Sequence, residues 1–371
     1  MLRSLSTITV ISLALAAPTA AAPTADTPTQ PSGMGAAELA TLVTQINESQ
    51  VADGSIQTIG AYSTADAETN AQSVRAEANR VDAMYDAMQE DGSLLVVKTQ
   101  SAAVSTTALE GGRLVTLHTV RTLNTGTTWE EMETFVIVDE ATQGVPAGTF
   151  FAVSPEIVRT DPSVASMADS LGIDYTDESV EPSDTELPPL PPALQVPSSS
   201  TRPTGGTAAG IYTGYSNVAN NTTVRDYGRR HALSRNSAYK PFSNDCTSFI
   251  SQALKAGGWR TRNGWYRDDT TWYYSGGLAV KASWTWAGAE NFYRFARNKS
   301  GQAGRLPNVY DLRNGDILQY KEGGSANMNH TMVVTKIDNG VPLLSYHTTD
   351  TLNKPFTAMG KSGRTWFATA V

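Results

Sequence analysis

Three features place this 371-residue chain in the α+β class: helix-period stretches, a switch to strand alternation, and a sharp Asn339-Gly340 turn signal between two apolar runs. Met34–Asn47 sets Leu39, Leu42, Val43 and Ile46 on one helical stripe. Ala65–Gln89 does the same with Val74, Val81, Met84 and Met88, and Asp91-Gly92 stops it. The period then becomes two in Leu94–Thr99, Arg113–Leu123, Glu131–Val138 and Thr149–Val153, with turn residues between the runs. The second half repeats the order, helices first. Helices are predicted over Val224–Ala232, Asn244–Lys255 and Ala287–Lys299, then strands over Asp316–Tyr320, Thr331–Ile337, Leu343–Thr348 and Thr365–Ala370.

Composition divides the chain into segments. Residues 1–22 read as an export signal: Arg3, an apolar run Leu5–Leu15, and a small-residue site ending Ala20-x-Ala22. That run is too short to span a bilayer comfortably, so a secreted protein without stable membrane insertion is expected. Residues 23–33 are Pro/Thr-rich and expected to be disordered. Residues 34–176 form an expected small α+β domain of unknown role, and residues 177–206 a Pro-, Ser- and acid-rich linker. The remaining 207–371 form an expected second domain. The linker coincides with a break in charge. Net charge is −8 overall, yet residues 207–371 hold 20 Lys and Arg against 10 Asp and Glu. That basic half suits an anionic polymer, or docking of the acidic N-terminal domain against it. No nucleic-acid motif appears, and no nucleic-acid partner is expected.

The chain has one cysteine, Cys246. A lone thiol in an exported protein is either inert packing or a reactive group. Its surroundings favour reactivity. In Ser243–Leu254, the residues Phe249, Ile250, Ala253 and Leu254 form a helical apolar stripe, and Ser243, Asn244 and Asp245 are N-cap types. The helix should start near Asp245, which puts Cys246 in its first turn. There the unsatisfied N–H groups and the positive end of the helix dipole stabilise a thiolate, and can bind an oxyanion.

A thiolate nucleophile needs a proton acceptor. The four histidines are His118, His231, His330 and His347. His118 reads as an ordinary sheet residue, and His231 as a helix-end cation. His330 opens a predicted strand and is the candidate base. If Asn339-Gly340 is a two-residue hairpin loop, an unbroken ladder sets Asp338 against Val341, Ile337 against Pro342, and His330 against Thr349. His347 is then a diagonal neighbour of His330 on one face, able to orient it. A one-residue slip brings Asp350 across from His330 instead, and Pro342 beside the turn keeps both registers open.

The segments NDCTSFISQALKAGGW, SW, NGDILQY, NHTMVVT and SYHTTD, spread over roughly residues 208–371, resemble an amidase-domain family of exported Gram-positive bacterial proteins, similar to the CHAP and NlpC-type cell-wall hydrolases. The resemblance implies a papain-like fold, with helices packed on an antiparallel sheet. It implies Cys246 as nucleophile, His330 as base and His347 at the third catalytic position, hydrolysing an amide through a thioester without a cofactor. Peptidoglycan or a peptide is the implied substrate, and Trp265, Trp272, Trp284 and Trp286 are candidates to line its cleft. Rival expectations are a non-catalytic wall-binding protein and a thioester-forming acyltransferase. Zinc, nucleotide and serine-nucleophile signatures are missing from the sequence.

Overall fold

The computed structural model describes residues 34–52, 67–141, 145–154, 162–171, 173, 190, 192–203, 219–242, 244–276 and 281–371. The predicted export signal, the 23–33 tail, most of the linker and Ser243 lie outside the described residues.

Element order is α1 (Ala36–Ala52), α2 (Ala67–Asp91), β1 (Val96–Leu109), β2 (Gly112–Leu123), β3 (Thr128–Val138), β4 (Phe150–Val153) and α3 (Pro162–Ser170). There follow α4 (Asn221–His231), α5 (Cys246–Ala256), β5 (Tyr274–Ser275), β6 (Lys281–Ala282), α6 (Trp284–Ala287) and α7 (Ala289–Arg294). The chain ends with β7 (Gly304–Leu306), β8 (Ile317–Glu322), β9 (His330–Asp338), β10 (Val341–Tyr346), β11 (Thr351–Pro355) and β12 (Arg364–Ala370). The α+β class therefore stands. The predicted helix Ala287–Lys299 is broken at Gly288, and past Arg294 it widens until Ser300 N–H donates to the Phe295 carbonyl.

Among the described residues, ten strands join one antiparallel sheet in the order β1-β2-β3-β11-β10-β9-β8-β12-β7, with β4 on β3. The two expected domains are not separate. β3 pairs with β11 through Thr351 with Glu131 and Leu352 with Glu130, and the described residues belong to one compact unit. One apolar core likewise draws on both halves, from Leu39, Val81 and Phe135 to Met332, Leu344 and Trp366. β11 was missed in the sequence because TLNKP offers one apolar residue and a proline, weak strand material without a sheet edge to join. The expected linker also ends early. Leu194 is buried beside Tyr293 and Phe367, Ser198 N–H donates to the Trp366 carbonyl, and Ser199 bridges to Asn308.

The other face of the sheet carries α4–α7. Their core includes Val224, Phe249, Leu254, Trp272, Trp286 and Phe292, closing on Ile317 and Val333 of the sheet. Gly228 is what lets α4 lie close: a Cβ there would sit 2.9 Å from a Val333 methyl and 3.0 Å from a Thr335 methyl. No described helix is long and apolar enough to cross a membrane.

A buried charge cluster ties α2 to the sheet. Arg121 is fully buried on β2 and donates to Asn47, Glu131 and Glu133, and it lies over the Trp129 ring at 4.6 Å. Arg80 on α2 bonds Glu77 and Glu133, and Lys354 on β11 bonds Glu131. Burial by itself would raise the Glu133 carboxyl, but the Arg121 and Arg80 guanidiniums outweigh it and hold it well below the carboxylate range. A carboxyl lowered in the fold stabilises it above the unfolded pKa of about 4.3, and that stability drains away as pH falls. Removing one member of a buried pair costs about 3–5 kcal/mol. Arg121→Met should therefore lose about that much in urea unfolding near pH 7, and the loss should shrink below about pH 4. A loss under about 1 kcal/mol would show the cluster to be energetically idle.

Candidate active site

α5 begins at Cys246 with Asp245 as its N-cap residue, so the cysteine occupies the first turn. The side chain is 1% exposed but is not part of the apolar clusters that hold α5. Two polar groups lie beside the sulfur: the thiol donates to Asn244 Oδ1 at 3.5 Å and lies 3.6 Å from Thr247 Oγ1. Asn244 is fixed in turn by the Thr348 hydroxyl at 3.2 Å.

The neighbours of Cys246 on both sides anchor it to the sheet. Thr247 Oγ1 meets Thr331 Oγ1 at 2.9 Å, with both residues fully buried, and Gln319 Nε2 donates to the same Thr331 oxygen at 3.0 Å. Thr331 is thus the β9 residue that faces α5, and the alternation of the strand turns the His330 ring to the opposite face. His330 is the first residue of β9 and 4% exposed. Its ring packs against Tyr320 on β8 at 5.6 Å and meets Tyr346 on β10 edge-on at 4.8 Å. Both tyrosines were missed in the sequence. Tyr320 faces His330 directly across β8 and β9, a pairing invisible until those two strands are known to be neighbours.

On the other side, Asp245 Oδ2 meets His347 Nδ1 at 2.7 Å. His347 Nε2 meets the His231 carbonyl at 2.8 Å, and the ring stacks on Phe249 with centroids 4.0 Å apart. A carbonyl only accepts, so Nε2 carries a hydrogen. Nδ1 faces the Asp245 carboxylate oxygen at hydrogen-bond distance. Both nitrogens are spent, and neither bonds His330. The expected orienting role of His347 gives way to a different one: it locks the residue before the cysteine. Asp350, the alternative, is held by Arg235 at 2.6 Å.

The register explains this. Asp338 pairs with Val341 and Ile337 with Pro342, as an Asn339-Gly340 turn requires, and both turn residues have positive φ (46° and 73°). A bulge then intervenes. Leu344 pairs with Val334 and Ser345 with Val333, each one residue away from the unbroken ladder. The shift runs opposite to the slip that would have brought Asp350 to His330. Thr335 is the residue left over, and its hydroxyl is satisfied by Ser345 and Asn353 instead. Asp245 makes no side-chain capping bond; its Oδ2 meets the buried imidazole instead.

The remaining candidates separate cleanly. His118 contacts Glu130 at 2.9 Å within the sheet, and His231 closes α4 with Nδ1 against the Ser234 carbonyl. Trp272 and Trp286 are fully buried, with indole N–H groups on Ser251 and Ser248, and belong to the core. Trp284 lies half-buried against Tyr266 and under Arg267, while Trp265 is 65% exposed.

Removing the Asp245 carboxylate strands the buried imidazole, so Asp245→Ala should destabilise the chain by about 3 kcal/mol or more in urea unfolding. A cost below about 1 kcal/mol would show that the pair does not hold the head of α5.

Residues 218–369 match the family model described as "Putative amidase domain". Among curated proteins, the chain is similar to the uncharacterized protein YhbB of Bacillus subtilis (strain 168), 36% identical over 132 residues that make up 33% of this chain and 40% of YhbB. It is also similar to the uncharacterized protein YjcM of the same organism, 33% identical over 145 residues, or 38% of this chain and 33% of YjcM. The chain thus spans less than half the length of either relative. No solved structure matches. The similarity supports an amidase-type hydrolase in the C-terminal part of the chain.

Proposed function

We propose that the chain is a secreted cysteine-dependent amidase or peptidase, with Cys246 as nucleophile and His330 as base. The observation that supports this reading is the placement of Cys246 in the first turn of α5, with Asn244 and Thr247 as polar partners of the sulfur.

His330 takes the thiol proton, and the Cys246 sulfur attacks the amide carbonyl carbon to form a C–S bond and an oxyanion. The N–H groups of the first turn stabilise that oxygen. The C–N bond then breaks, and the amine leaves with the proton from His330. Water, deprotonated by the same imidazole, cleaves the thioester and restores the thiol. Asp245, His347 and Thr247 act by holding the sulfur in place. The rings of Tyr320 and Tyr346 set the plane of the base. No step draws on a metal or organic cofactor.

The amide is proposed to lie in cell-wall peptide. The export-type N-terminal segment, the basic balance of residues 207–371 and the exposed Trp265 support that choice. The exposed Arg267 over the half-buried Trp284 ring offers a second contact for the same polymer.

Purified cell wall treated with the chain should release new amine termini, read by mass spectrometry of the soluble fragments. Cys246→Ala should release none above buffer. His330→Ala should be slower by about 10²–10⁴-fold, the range general-base catalysis contributes. Equal release by wild type and Cys246→Ala would end the cysteine mechanism.

A further inference from the structure

Where the two halves of the chain meet, a cavity of about 260 Å³ lies between α2, β3–β4 and the β10–β11 region. We propose that it binds the carboxylate end of a short peptide; as a subsite of the candidate active site, this rests on the hydrolase reading above.

Three observations carry it. The first is charge. Arg80 and Lys354 line the cavity, with side chains 32% and 16% exposed, while the carboxylates of Glu131 and Glu133 that anchor them are 4% and 7% exposed. Glu131 and Glu133 line the cavity too, but they are the more deeply buried partners, and the two cations they fix are the more exposed charges of the wall. Arg80 uses Nε and Nη2 on Glu77 and Glu133, which leaves Nη1 without a bond among the described residues. Lys354 Nζ donates to Glu131 and keeps two further hydrogens. Guanidinium and ammonium donors held in place in this way suit a carboxylate.

The second is shape. Ala83, Ala87, Ala152 and Ala358 give the cavity small apolar walls. They leave space beside the two cations for the end of a peptide chain. Thr134 and Thr349 add hydroxyls along the same lining.

The third is position. Tyr346 lines this cavity, and its ring also meets the His330 ring edge-on at 4.8 Å. One side chain thus separates the bound carboxylate from the candidate base. The N-terminal half, which offered no catalytic signal in the sequence, contributes Arg80, Glu131 and Glu133 to this wall.

The test is binding of acetyl-alanyl-alanine, and of its C-terminal amide, to the full chain carrying Cys246→Ala, measured by calorimetry. Omitting the nucleophile makes the result independent of turnover, so loss of the hydrolase reading and loss of this site are told apart. The acid should bind, and the amide should bind at least tenfold more weakly. Arg80→Gln and Lys354→Met should each weaken the acid at least fivefold, with thermal unfolding confirming that each variant is folded. Lys354→Met is the safeguard if Arg80→Gln unfolds α2. No binding of the acid, equal binding of acid and amide, or unchanged affinity in a folded Lys354→Met variant would overturn the proposal.

Discussion

Cys246 is clamped from both sides along its own backbone, and the reading of this chain depends on that constraint. The residue before it gives its carboxylate to a buried imidazole, and the residue after it shares a hydrogen bond with the strand that begins at His330. Neither partner lies near α5 in sequence: Asp245 and His347 are 102 positions apart, Thr247 and Thr331 84. A helix end with free N–H groups is ordinary. One fixed to the middle of a ten-stranded sheet can hold a sulfur still enough for chemistry, because the position of the nucleophile no longer depends on a fraying first turn.

This clamp also explains the departure from a sequence-level triad. His347 is close to the cysteine but serves Asp245, and the β9–β10 bulge at Thr335 is what sends it there. A single unpaired residue in one strand exchanges the faces of everything beyond it. What surrounds His330 is aromatic, Tyr320 beneath and Tyr346 at its edge. The base is oriented by packing on these rings, and the carboxylates of the neighbourhood are committed to Arg235 and His347.

Local signals in the sequence were enough to locate most helices and strands, the Asn339-Gly340 turn and the first-turn cysteine, because each depends on residues within a few positions. Three things were not legible. The sheet that unites the two halves depends on β11, a five-residue strand whose sequence carries little strand preference. The bulge at Thr335 leaves no mark in the alternation of Thr331–Ile337, since Met332, Val333 and Val334 are already apolar on both faces. The Arg121 cluster assembles side chains from α1, α2, β2 and β3, and nothing local distinguishes its charges from solvated ones. The Pro-rich stretch misled differently: its composition suggests a free linker, yet Leu194 and Ser198 are packed against the second half. Prolines fix an extended path, and such a path can lie along a surface as readily as cross solvent.

The central claim is that an acyl group passes through the Cys246 sulfur. Acid-quenching the full chain during hydrolysis of a chromogenic peptide amide, then weighing the peptide that contains Cys246, tests it most directly. The account predicts that peptide heavier by the mass of the substrate's acyl group, in a form that hydroxylamine removes. Amide hydrolysis proceeding at full rate with the Cys246 peptide unmodified at every quench time would contradict it.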